Sequence, residues 1–368
     1  MTIVGVVGGG QLARMMIPAA INLGIELKVF AESSDASARM AASDIGDYLD
    51  FDQLKAFANS VDVVTFDHEH VPLTHLLALQ DSGAAIFPPP KALELTHDKT
   101  LMRAALAQLN IPQPRWAIAT EEDSDPLAMV GGFPCIAKLP VGGYDGRGVR
   151  VAHSWANLVD WLEMGPVLLE ELIDFRRELA QLGARNPSGD WQTWLAVETR
   201  QQNGVCAQVI SPAQGLSSQS REEAQSIARS VAEAYDVVGV LAVELFETQD
   251  GELLVNELAM RPHNSGHVFT EQAETSQFEQ HLRAVTDTAL GSTKLRVAAG
   301  AMVNLFDSAE FPTWQKCASD FPSVKFHSYQ KPARPGRKAG HIVATDTNAA
   351  SALLAVTEAE EAFRGYQS

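Results

Sequence analysis

The sequence is poor in cysteine, in basic residues and in long apolar runs. Its 368 residues include only Cys135, Cys206 and Cys317, whose wide spacing matches no metal-binding or redox pattern and predicts free thiols in a reducing compartment. Lys and Arg number 28 against 46 Asp and Glu, and the formal net charge of −18 argues against a nucleic-acid or anionic-membrane partner. The opening stretch MTIVGVVGGGQLARM lacks the apolar length of a signal peptide or membrane span, so we expect a cytoplasmic protein.

The remaining composition is that of a globular protein with two or three sub-domains. TIVGVVGGG followed by QLARMMIPAAINLG predicts a buried parallel strand, a glycine turn and a helix, and KVFAES predicts a second strand. The segment from Gly8 to Ala13 also satisfies the loose dinucleotide-binding pattern, and Glu32 after the second strand could hold a ribose. An NAD-dependent dehydrogenase is therefore one alternative. GAAIFPPP predicts a domain boundary near residue 90.

The run VDVVTFDHEHVP predicts a strand that ends in Asp67, His68, Glu69 and His70. Ligands of open α/β sheets bind at this carboxyl end. The four side chains cannot all converge on one metal ion, because alternate residues of a strand point to opposite faces. We therefore expect Glu69 to contact a substrate rather than a metal.

The stretch from Gly239 to His267 predicts the central site. LAVELF and ELLVNELA are strand-like runs separated by TQDG, whose Asp-Gly pair predicts a β-hairpin with Glu244 and Glu257 on adjacent strands. A single buried Glu in a strand is usually structural, but two converging carboxylates repel each other and favour a cation such as Mg²⁺ together with phosphate oxygens. Further polar side chains crowd the same end, namely Asn256, Arg261, His263, Asn264, Ser265 and His267. This combination predicts a nucleoside triphosphate site.

A glycine-rich stretch, FPCIAKLPVGGYDGRGVRVA, has the composition of a phosphate-binding loop. Four glycines lie within residues 142–148, where backbone N–H groups can approach phosphate oxygens while Lys138 and Arg147 neutralise them. No Gly-Lys-Ser/Thr precedes a helix, so this is not a Walker loop, and a hairpin with incidental charges is the alternative. Downstream, PVLLEE places Glu170 and Glu171 where a strand can meet the adenine and ribose of a nucleotide.

Near the C-terminus, KPARPGRKAGHIVA concentrates cations in an otherwise acidic chain. They are Lys331, Arg334, Arg337, Lys338 and His341. A basic run is usually a solvated face, but the Pro and Gly residues predict an ordered turn. We interpret the run as a pocket for a phosphate monoester.

These motifs resemble the ATP-grasp superfamily and, within it, the N5-carboxyaminoimidazole ribonucleotide synthetase family. GGGQLARMM, TFDHEHVP, GGYDGRG, NELAMRPHNSGH, SQFEQHLRA and RPGRKAGH occur in that family's order over nearly the whole chain. The resemblance implies an α/β fold with an α+β lid. It also implies a Rossmann-like domain over residues 1–92, an ATP-binding lid region over 93–178, and a C-terminal ATP-grasp domain over 179–368 with a small C-terminal subdomain.

The resemblance implies roles for individual residues. Those that match the family's nucleotide ligands are Lys138, Gly142, Gly143, Tyr144, Gly146, Gly148, Glu170, Glu171, Leu172, Ile173, Glu178 and Asn256. Those that match its Mg²⁺ ligands are Glu244 and Glu257, with Mn²⁺ as an alternative ion. The residues similar to its substrate contacts are Gln11, Glu69, Tyr144, Asn264, Ser265, His267, Lys331, Arg334, Arg337 and Lys338. The catalytic candidates are Asp145, Arg147, Arg261 and His263, and either Asp145 or His263 would be the general base.

The implied reaction converts ATP, bicarbonate and 5-aminoimidazole ribonucleotide into N5-carboxyaminoimidazole ribonucleotide, ADP and phosphate through carboxyphosphate, in purine biosynthesis. We expect a homodimer, as is common in the family, with small molecules rather than nucleic acid or membrane as ligands. Alternatives are a ligase like the formate-dependent glycinamide ribonucleotide transformylase, and a catalytically silent nucleotide-binding regulator. Departures from the family pattern are Ala13, Asp67, Leu95, Thr199, Gln201 and Met260. Leu95 stands where relatives place an arginine, which predicts a missing nucleotide contact.

Overall fold

The N-terminal layer is a parallel sheet flanked by helices, which confirms the predicted strand, glycine turn and helix. The computed structural model describes residues 1–122, 124–143, 148–202, 204–308 and 310–367, so the predicted site residues Tyr144, Asp145, Gly146 and Arg147 lie outside it. The elements of this layer are β1 (Ile3–Val7), α1 (Gln11–Leu23), β2 (Glu26–Ala31), β3 (Ala42–Ile45), α2 (Phe51–Ala58), β4 (Val63–Phe66), α3 (Leu73–Asp81), α4 (Pro90–His97) and α5 (Lys99–Gln108). The strand order is β3-β2-β1-β4, and each pair is parallel. The carboxyl ends of these strands therefore share one edge.

The glycine turn after β1 is held by two carboxylates of the protein itself. Asp67 accepts a hydrogen bond from the Ala13 N–H at 2.7 Å, inside the first turn of α1. Glu32 accepts from the Gly9 N–H at 3.1 Å and lies 3.2 Å from Nε2 of His68. Burial opposes ionisation of Glu32, but these hydrogen bonds outweigh it and lower its pKa to about 2. Glu32 thus helps to hold the turn, while 46% of its side chain stays exposed.

A smaller antiparallel sheet follows. Its elements are β5 (Trp116–Ala119), α6 (Ser124–Met129), β6 (Cys135–Lys138), β7 (Val149–Ala152), α7 (Val159–Leu162) and β8 (Val167–Glu171). The strand order is β5-β8-β6-β7. Since β6 and β7 are paired up to Lys138 and Val149, the glycine-rich segment connects the two strands at one end of this sheet.

The largest unit is a nine-stranded sheet. Its elements are β9 (Phe175–Arg185), β10 (Trp191–Thr193), β11 (Val197–Gln202), β12 (Val205–Ser211), α8 (Ser218–Ala234), β13 (Gly239–Thr248), β14 (Leu253–Ala259), α9 (Phe269–Gln272), α10 (Gln277–Val285), β15 (Ala299–Asp307), α11 (Phe311–Asp320), β16 (Lys325–Ser328), β17 (Arg334–Asp346) and α12 (Ala349–Gln367). The strand order is β14-β13-β9-β11-β12-β15-β17-β16, with β10 paired to β9.

The three cysteines are free thiols, as predicted. Among the described residues, no helix has both the length and the apolar character needed to cross a membrane.

His281 joins the N-terminal layer to the large sheet. Helix α10 lies against α1, and the imidazole of His281 is completely buried between them and the sheet. Its Nδ1 accepts from the Val240 N–H at 3.0 Å, and its Nε2 lies 2.8 Å from Oγ1 of Thr65. Because Nδ1 is an acceptor here, the ring must be neutral.

We expect His281 to make the protein sensitive to acid. Burial lowers the pKa of its ring to about 3, from 6.5 when unperturbed. Because the folded-state pKa is depressed, the neutral ring favours the folded state above pH 6.5, and this contribution is lost as the pH falls towards 3. Between pH 7 and pH 5 the loss is about 2 kcal/mol in the free energy of unfolding. The amide of His281→Gln offers an acceptor and a donor that do not titrate. Between pH 7 and pH 5 the free energy of unfolding of this variant should therefore fall by about 2 kcal/mol less than that of the wild type.

Urea unfolding of both proteins at pH 7 and pH 5 measures this difference. Other buried histidines titrate in both proteins and cancel in the comparison. An identical pH dependence of the two proteins would show that His281 is not the responsible group.

Candidate active site

A cleft of about 260 Å³ opens where the three units meet. Residues that line it are His68, Glu69, His70, Thr96, His97, Gly142, Gly143, Gln201, Gly204, Cys206, Glu244, Glu257, Leu258, Ala259, Arg261, His263, Asn264 and Lys338. They come from the end of β4, the end of α4, the glycine-rich segment, the β11–β12 hairpin, the β13–β14 hairpin with the segment after it, and the basic run. The cleft therefore gathers groups that the sequence places more than 250 residues apart.

The acidic hairpin has the predicted form. Strands β13 and β14 pair in antiparallel fashion, with Glu244 directly opposite Glu257. Burial and the charge of Glu244 both raise the pKa of Glu257. Burial also opposes ionisation of Glu244, but a hydrogen bond from His263 and the charges of His263, Lys338 and Lys138 together outweigh it, so the pKa of Glu244 is lowered. Two facing carboxylates, one of them destabilised by the other's charge, form a site with a strong electrostatic preference for a cation.

His263 is held in place on three sides. Its Nε2 lies 3.2 Å from Oε1 of Glu244, and its Nδ1 lies 2.8 Å from Oγ of Ser265. Its backbone is clamped by the buried side chain of Gln277, which accepts from the His263 N–H at 2.8 Å and donates to the His263 carbonyl at 2.7 Å. The ring is thereby fixed beside the acidic pair at the wall of the cleft.

Two buried lysines lie close to residues that line the cleft. Nζ of Lys138 lies 2.8 Å from Oε2 of Glu170 and donates to Oδ1 of Asn256 at 3.2 Å. Nζ of Lys99 donates to the Gly143 carbonyl at 3.0 Å, at the start of the glycine-rich segment. Burial is the main cause of a lowered pKa at Lys99, although nearby Glu257 acts in the opposite direction. Both cations thus lie between the glycine-rich segment and the acidic hairpin.

The expected nucleotide residues on and after β8 have different environments. Glu170 is 2% exposed and its carboxylate is bound by Arg103 and Lys138, so here it orients two cations, and its nucleotide contact stays a prediction. Glu171 pairs with Arg115 at 2.8 Å near the surface. Leu172 is exposed and Ile173 is partly buried.

Glu178 on β9 lies close enough to Glu244 to feel its charge. Burial and then the charge of Glu244 raise its pKa to about 7. This places a third carboxyl group beside the pair formed by Glu244 and Glu257.

Glu69 and Arg261 form an ion pair across the cleft. Nε of Arg261 lies 2.7 Å from Oε1 of Glu69, joining the N-terminal layer to the segment after β14. Asn264 also faces the cleft, but its amide exchanges two hydrogen bonds with Asn304, at 3.1 and 2.7 Å. Any substrate contact by Asn264 must therefore be made while it is held by Asn304.

Two of the predicted substrate residues are fully buried. Ser265 has no exposed surface, and its hydroxyl is used to orient His263. His267 is also unexposed, and its ring is stacked against Phe278 and His341 with centroid separations of 5.6 and 4.7 Å. Burial keeps the pKa of His267 well below its usual value. The expectation that Ser265 and His267 contact substrate is therefore wrong, because both pack behind the cleft wall.

The residues of the basic run lie in different environments. Lys338 lines the cleft, and Lys331 donates a hydrogen bond to Gln11. The contact of Gln11 with the substrate stays a prediction. Arg334 is exposed, and Arg337 donates to the Pro332 carbonyl at 3.5 Å. His341 has no exposed surface and bonds the Tyr329 hydroxyl through Nδ1 at 2.7 Å. The inclusion of His341 among the phosphate-binding cations is thus wrong.

Sequence reasoning missed several residues that shape this site, namely Lys99, Arg103, Gln277 and Asn304. Each is a buried polar side chain within an apolar helix face or strand, which was the available signal. Leu95, by contrast, packs in the apolar core at 5% exposure. The missing nucleotide contact at Leu95 stays a prediction, and Lys99 of the next helix reaches the Gly143 carbonyl.

Three family models match the chain in succession. The ribonucleotide synthetase preATP-grasp domain matches residues 1–97, and the ATP-grasp domain matches residues 104–278. The phosphoribosylaminoimidazole carboxylase C-terminal domain matches residues 300–354. The first match covers the N-terminal sheet, the second runs from the small sheet into the large one, and the third covers the last three strands of the large sheet and the start of α12.

Similar proteins with established names support the same relationship. N5-carboxyaminoimidazole ribonucleotide synthase of Mycobacterium bovis is 45% identical over 354 residues, which cover 92% of this chain and 82% of the relative. The enzyme of that name from Synechococcus elongatus is 39% identical over 362 residues, covering 95% and 90%.

Solved structures are similar over nearly the full length. The Thermus thermophilus N5-carboxyaminoimidazole ribonucleotide synthetase has a TM-score of 0.87 at 33% identity, covering 98% of each chain. The Aspergillus clavatus N5-carboxyaminoimidazole synthase, in complex with ADP and 5-aminoimidazole ribonucleotide, has a TM-score of 0.88 at 30% identity, covering 99% of each chain.

Proposed function

The chain belongs to the N5-carboxyaminoimidazole ribonucleotide synthase family of ATP-grasp enzymes, and we propose how its cleft performs that family's reaction. The protein is an ATP-dependent carbon–nitrogen ligase that carboxylates 5-aminoimidazole ribonucleotide in purine biosynthesis. One observation carries our assignment of residues: a single cleft holds the Glu244–Glu257 pair, the Glu69–Arg261 ion pair and Lys338. It therefore offers a cation site and an anion site next to each other.

We assign Mg²⁺ to Glu244 and Glu257 from the chemistry of these donors. Hard divalent cations prefer carboxylate oxygens, and burial together with the charge of Glu244 raises the pKa of Glu257, an electrostatic penalty that a cation would relieve. Mn²⁺ has the same ligand preference and is expected to substitute. When bound, the ion would neutralise charge on the phosphates of ATP.

The phosphates of ATP are assigned to the side of the cleft that holds the two lysines. Lys138 and Lys99 supply positive charge, and the backbone N–H groups of Gly142, Gly143 and Gly148 can approach phosphate oxygens. The adenosine portion would then extend towards Glu178 and the segment from Glu171 to Ile173. This orientation leaves the γ-phosphate beside the acidic hairpin.

The ribonucleotide is assigned to the side of the cleft with Glu69, Arg261 and His263. Lys338 lies there, and its charge suits a phosphate monoester, with Lys331, Arg334 and Arg337 strengthening the positive field from outside. Glu69 and Arg261 can hold the amine and the reacting carboxyl group between opposite charges. Asn264 and Gln11 contribute amide groups at the edges.

Two group transfers follow from this placement. A bicarbonate oxygen attacks the γ-phosphorus in line, the bond to the ADP oxygen breaks, and carboxyphosphate forms between Arg261 and the lysines. The exocyclic amine of the ribonucleotide then attacks the carboxyl carbon of carboxyphosphate and expels phosphate, or it attacks CO₂ that carboxyphosphate has released together with phosphate. The amine proton passes to His263, which lies at the cleft wall beside Glu244. Closure of the cleft excludes water, which would otherwise destroy both intermediates.

The decisive assay measures ADP release with each substrate omitted in turn. We expect release that requires bicarbonate and 5-aminoimidazole ribonucleotide together. Release that depends on formate and glycinamide ribonucleotide instead would identify the transformylase-like alternative. The absence of release, with ATP bound, would identify a silent regulator.

We also propose a cytoplasmic homodimer, as the family resemblance implies. Apolar side chains of the N-terminal layer support the assembly, since Ile21 is 71% and Met40 76% exposed. Sedimentation equilibrium should give twice the chain mass, and a monomer at micromolar concentration would contradict the dimer.

A further inference from the structure

Arg103 is a buried arginine on α5 that touches the acidic hairpin from behind. Its side chain has no exposed surface. Its Nε donates to Oε1 of Glu170 at 2.7 Å, its Nη1 to the Val255 carbonyl at 2.7 Å, and its Nη2 to the Asn256 carbonyl at 2.8 Å. One planar guanidinium thus binds a carboxylate of β8 and two consecutive carbonyls of β14.

The two carbonyls belong to an irregular part of β14. Glu244 pairs with Glu257, whereas the next residue, Leu245, pairs with Val255. Asn256 is therefore the extra residue of a β-bulge, placed immediately before Glu257. Bulges redirect side chains and interrupt the hydrogen-bond ladder, so their backbone groups need other partners. Arg103 supplies the partner for the Asn256 carbonyl.

The bulge also determines which face of the strand carries Glu257. Side chains alternate along a strand, so a slip of one residue would turn Glu257 to the opposite face. β14 is the edge strand of its sheet, and on its outer side Val255 is bound by Arg103 and by the Pro112 carbonyl at 2.9 Å. The register of the acidic pair thus depends on contacts from α5 and the segment that follows it.

The same contacts form a closed ring through the nucleotide side of the cleft. Arg103 binds one oxygen of Glu170, and Lys138 binds the other at 2.8 Å. Lys138 donates in turn to the side chain of Asn256 at 3.2 Å, and the carbonyl of Asn256 returns to Arg103. The ring joins α5, β8, β6 and β14.

We propose that Arg103 is a positioning residue for the reaction, which holds the Asn256 bulge and thereby sets Glu257 opposite Glu244. This inference rests on the proposed metal site at these two residues. Lysine cannot replace Arg103, because an ammonium lacks the planar fork that reaches three acceptors at once. Positioning groups behind metal ligands typically change metal affinity by 10- to 100-fold.

The test compares Arg103→Met/Glu170→Gln with Glu170→Gln alone. Both lack the Glu170 charge, so the comparison isolates the two carbonyl contacts from the penalty of an unpaired buried carboxylate. Binding of Mn²⁺ in the presence of ADP, followed by electron paramagnetic resonance, reports metal affinity independently of turnover. We expect about 10-fold weaker Mn²⁺ binding in the double variant. The KM for the ribonucleotide should stay within about twofold while kcat falls.

Arg103→Lys and Gln113→Leu complete the design. Arg103→Lys should also weaken Mn²⁺ binding, whereas Gln113 touches Arg103 at 3.4 Å without reaching the bulge, so Gln113→Leu should bind Mn²⁺ normally. Equal Mn²⁺ affinity in the double variant and in Glu170→Gln would overturn the role of Arg103. Normal Mn²⁺ binding by Glu257→Gln would instead overturn the metal assignment itself, so the two failures are distinguishable.

Discussion

Glu257→Gln is expected to lower kcat by about two to three orders of magnitude while the protein remains folded. The amide keeps the size of the side chain but removes one of two charges that would hold Mg²⁺ opposite Glu244. Burial and Glu244 raise the pKa of Glu257, so its ionised form is disfavoured in the metal-free folded state. The metal-free variant should therefore be more stable than the wild type near neutral pH.

Thermal unfolding with and without Mg²⁺ and ADP separates these two effects. The wild type should be stabilised by the ligands, whereas Glu257→Gln should start from a higher melting temperature and gain less. Glu252→Gln is a matched control, because Glu252 lies exposed at the turn of the same hairpin. Unchanged turnover in Glu257→Gln would remove the metal site from this hairpin.

His263→Asn is expected to lower kcat by about 10²-fold. The imidazole contacts Ser265 through Nδ1 and Glu244 through Nε2. Asn can reproduce the first contact and Gln the second, because their amides lie at about the positions of Nδ1 and Nε2. Neither amide can accept a proton from the substrate amine.

The pair of variants distinguishes two roles for this residue. If His263 is the proton acceptor, His263→Asn and His263→Gln should both lose about 10²-fold in kcat while Mn²⁺ binding stays normal. If His263 only orients Glu244, His263→Gln should be nearly as active as the wild type. That result would show that His263 is not the base. Ser265→Ala is the smaller-effect control, since Gln277 still clamps the backbone of His263.

The parts of the site that the sequence predicted well are local in the chain. The Asp-Gly turn and the flanking apolar runs led to the hairpin, and the register of that hairpin places Glu244 opposite Glu257 as expected. The strand, glycine turn and helix at the N-terminus were predicted on the same basis, because periodicity and turn chemistry act over a few residues. The family motifs indicated the family, which the family models and relatives confirm, while the bounds of the three units stay a prediction.

The sequence could not tell which polar residues of a motif face the cleft. Asn264, Ser265 and His267 lie within four residues of one another, yet only Asn264 is among the residues that line it. His267 is covered by α10 and by β17, elements that come later in the chain, and the Ser265 hydroxyl is bonded to His263. The same holds for His341, which the strand buries against Tyr329 while Lys338 reaches the cleft.

By itself, the sequence determined the elements, the acidic hairpin and the family, because each depends on residue types at short spacing. Only the tertiary structure decided which side chains are free and which are bound. It showed Glu32 holding the glycine turn, Lys99 bound to the Gly143 carbonyl, and Arg103 bound to the Asn256 bulge. Burial and hydrogen bonding of these groups depend on partners from other elements, up to about 150 residues away for Arg103 and Asn256, and no local pattern encodes such pairings.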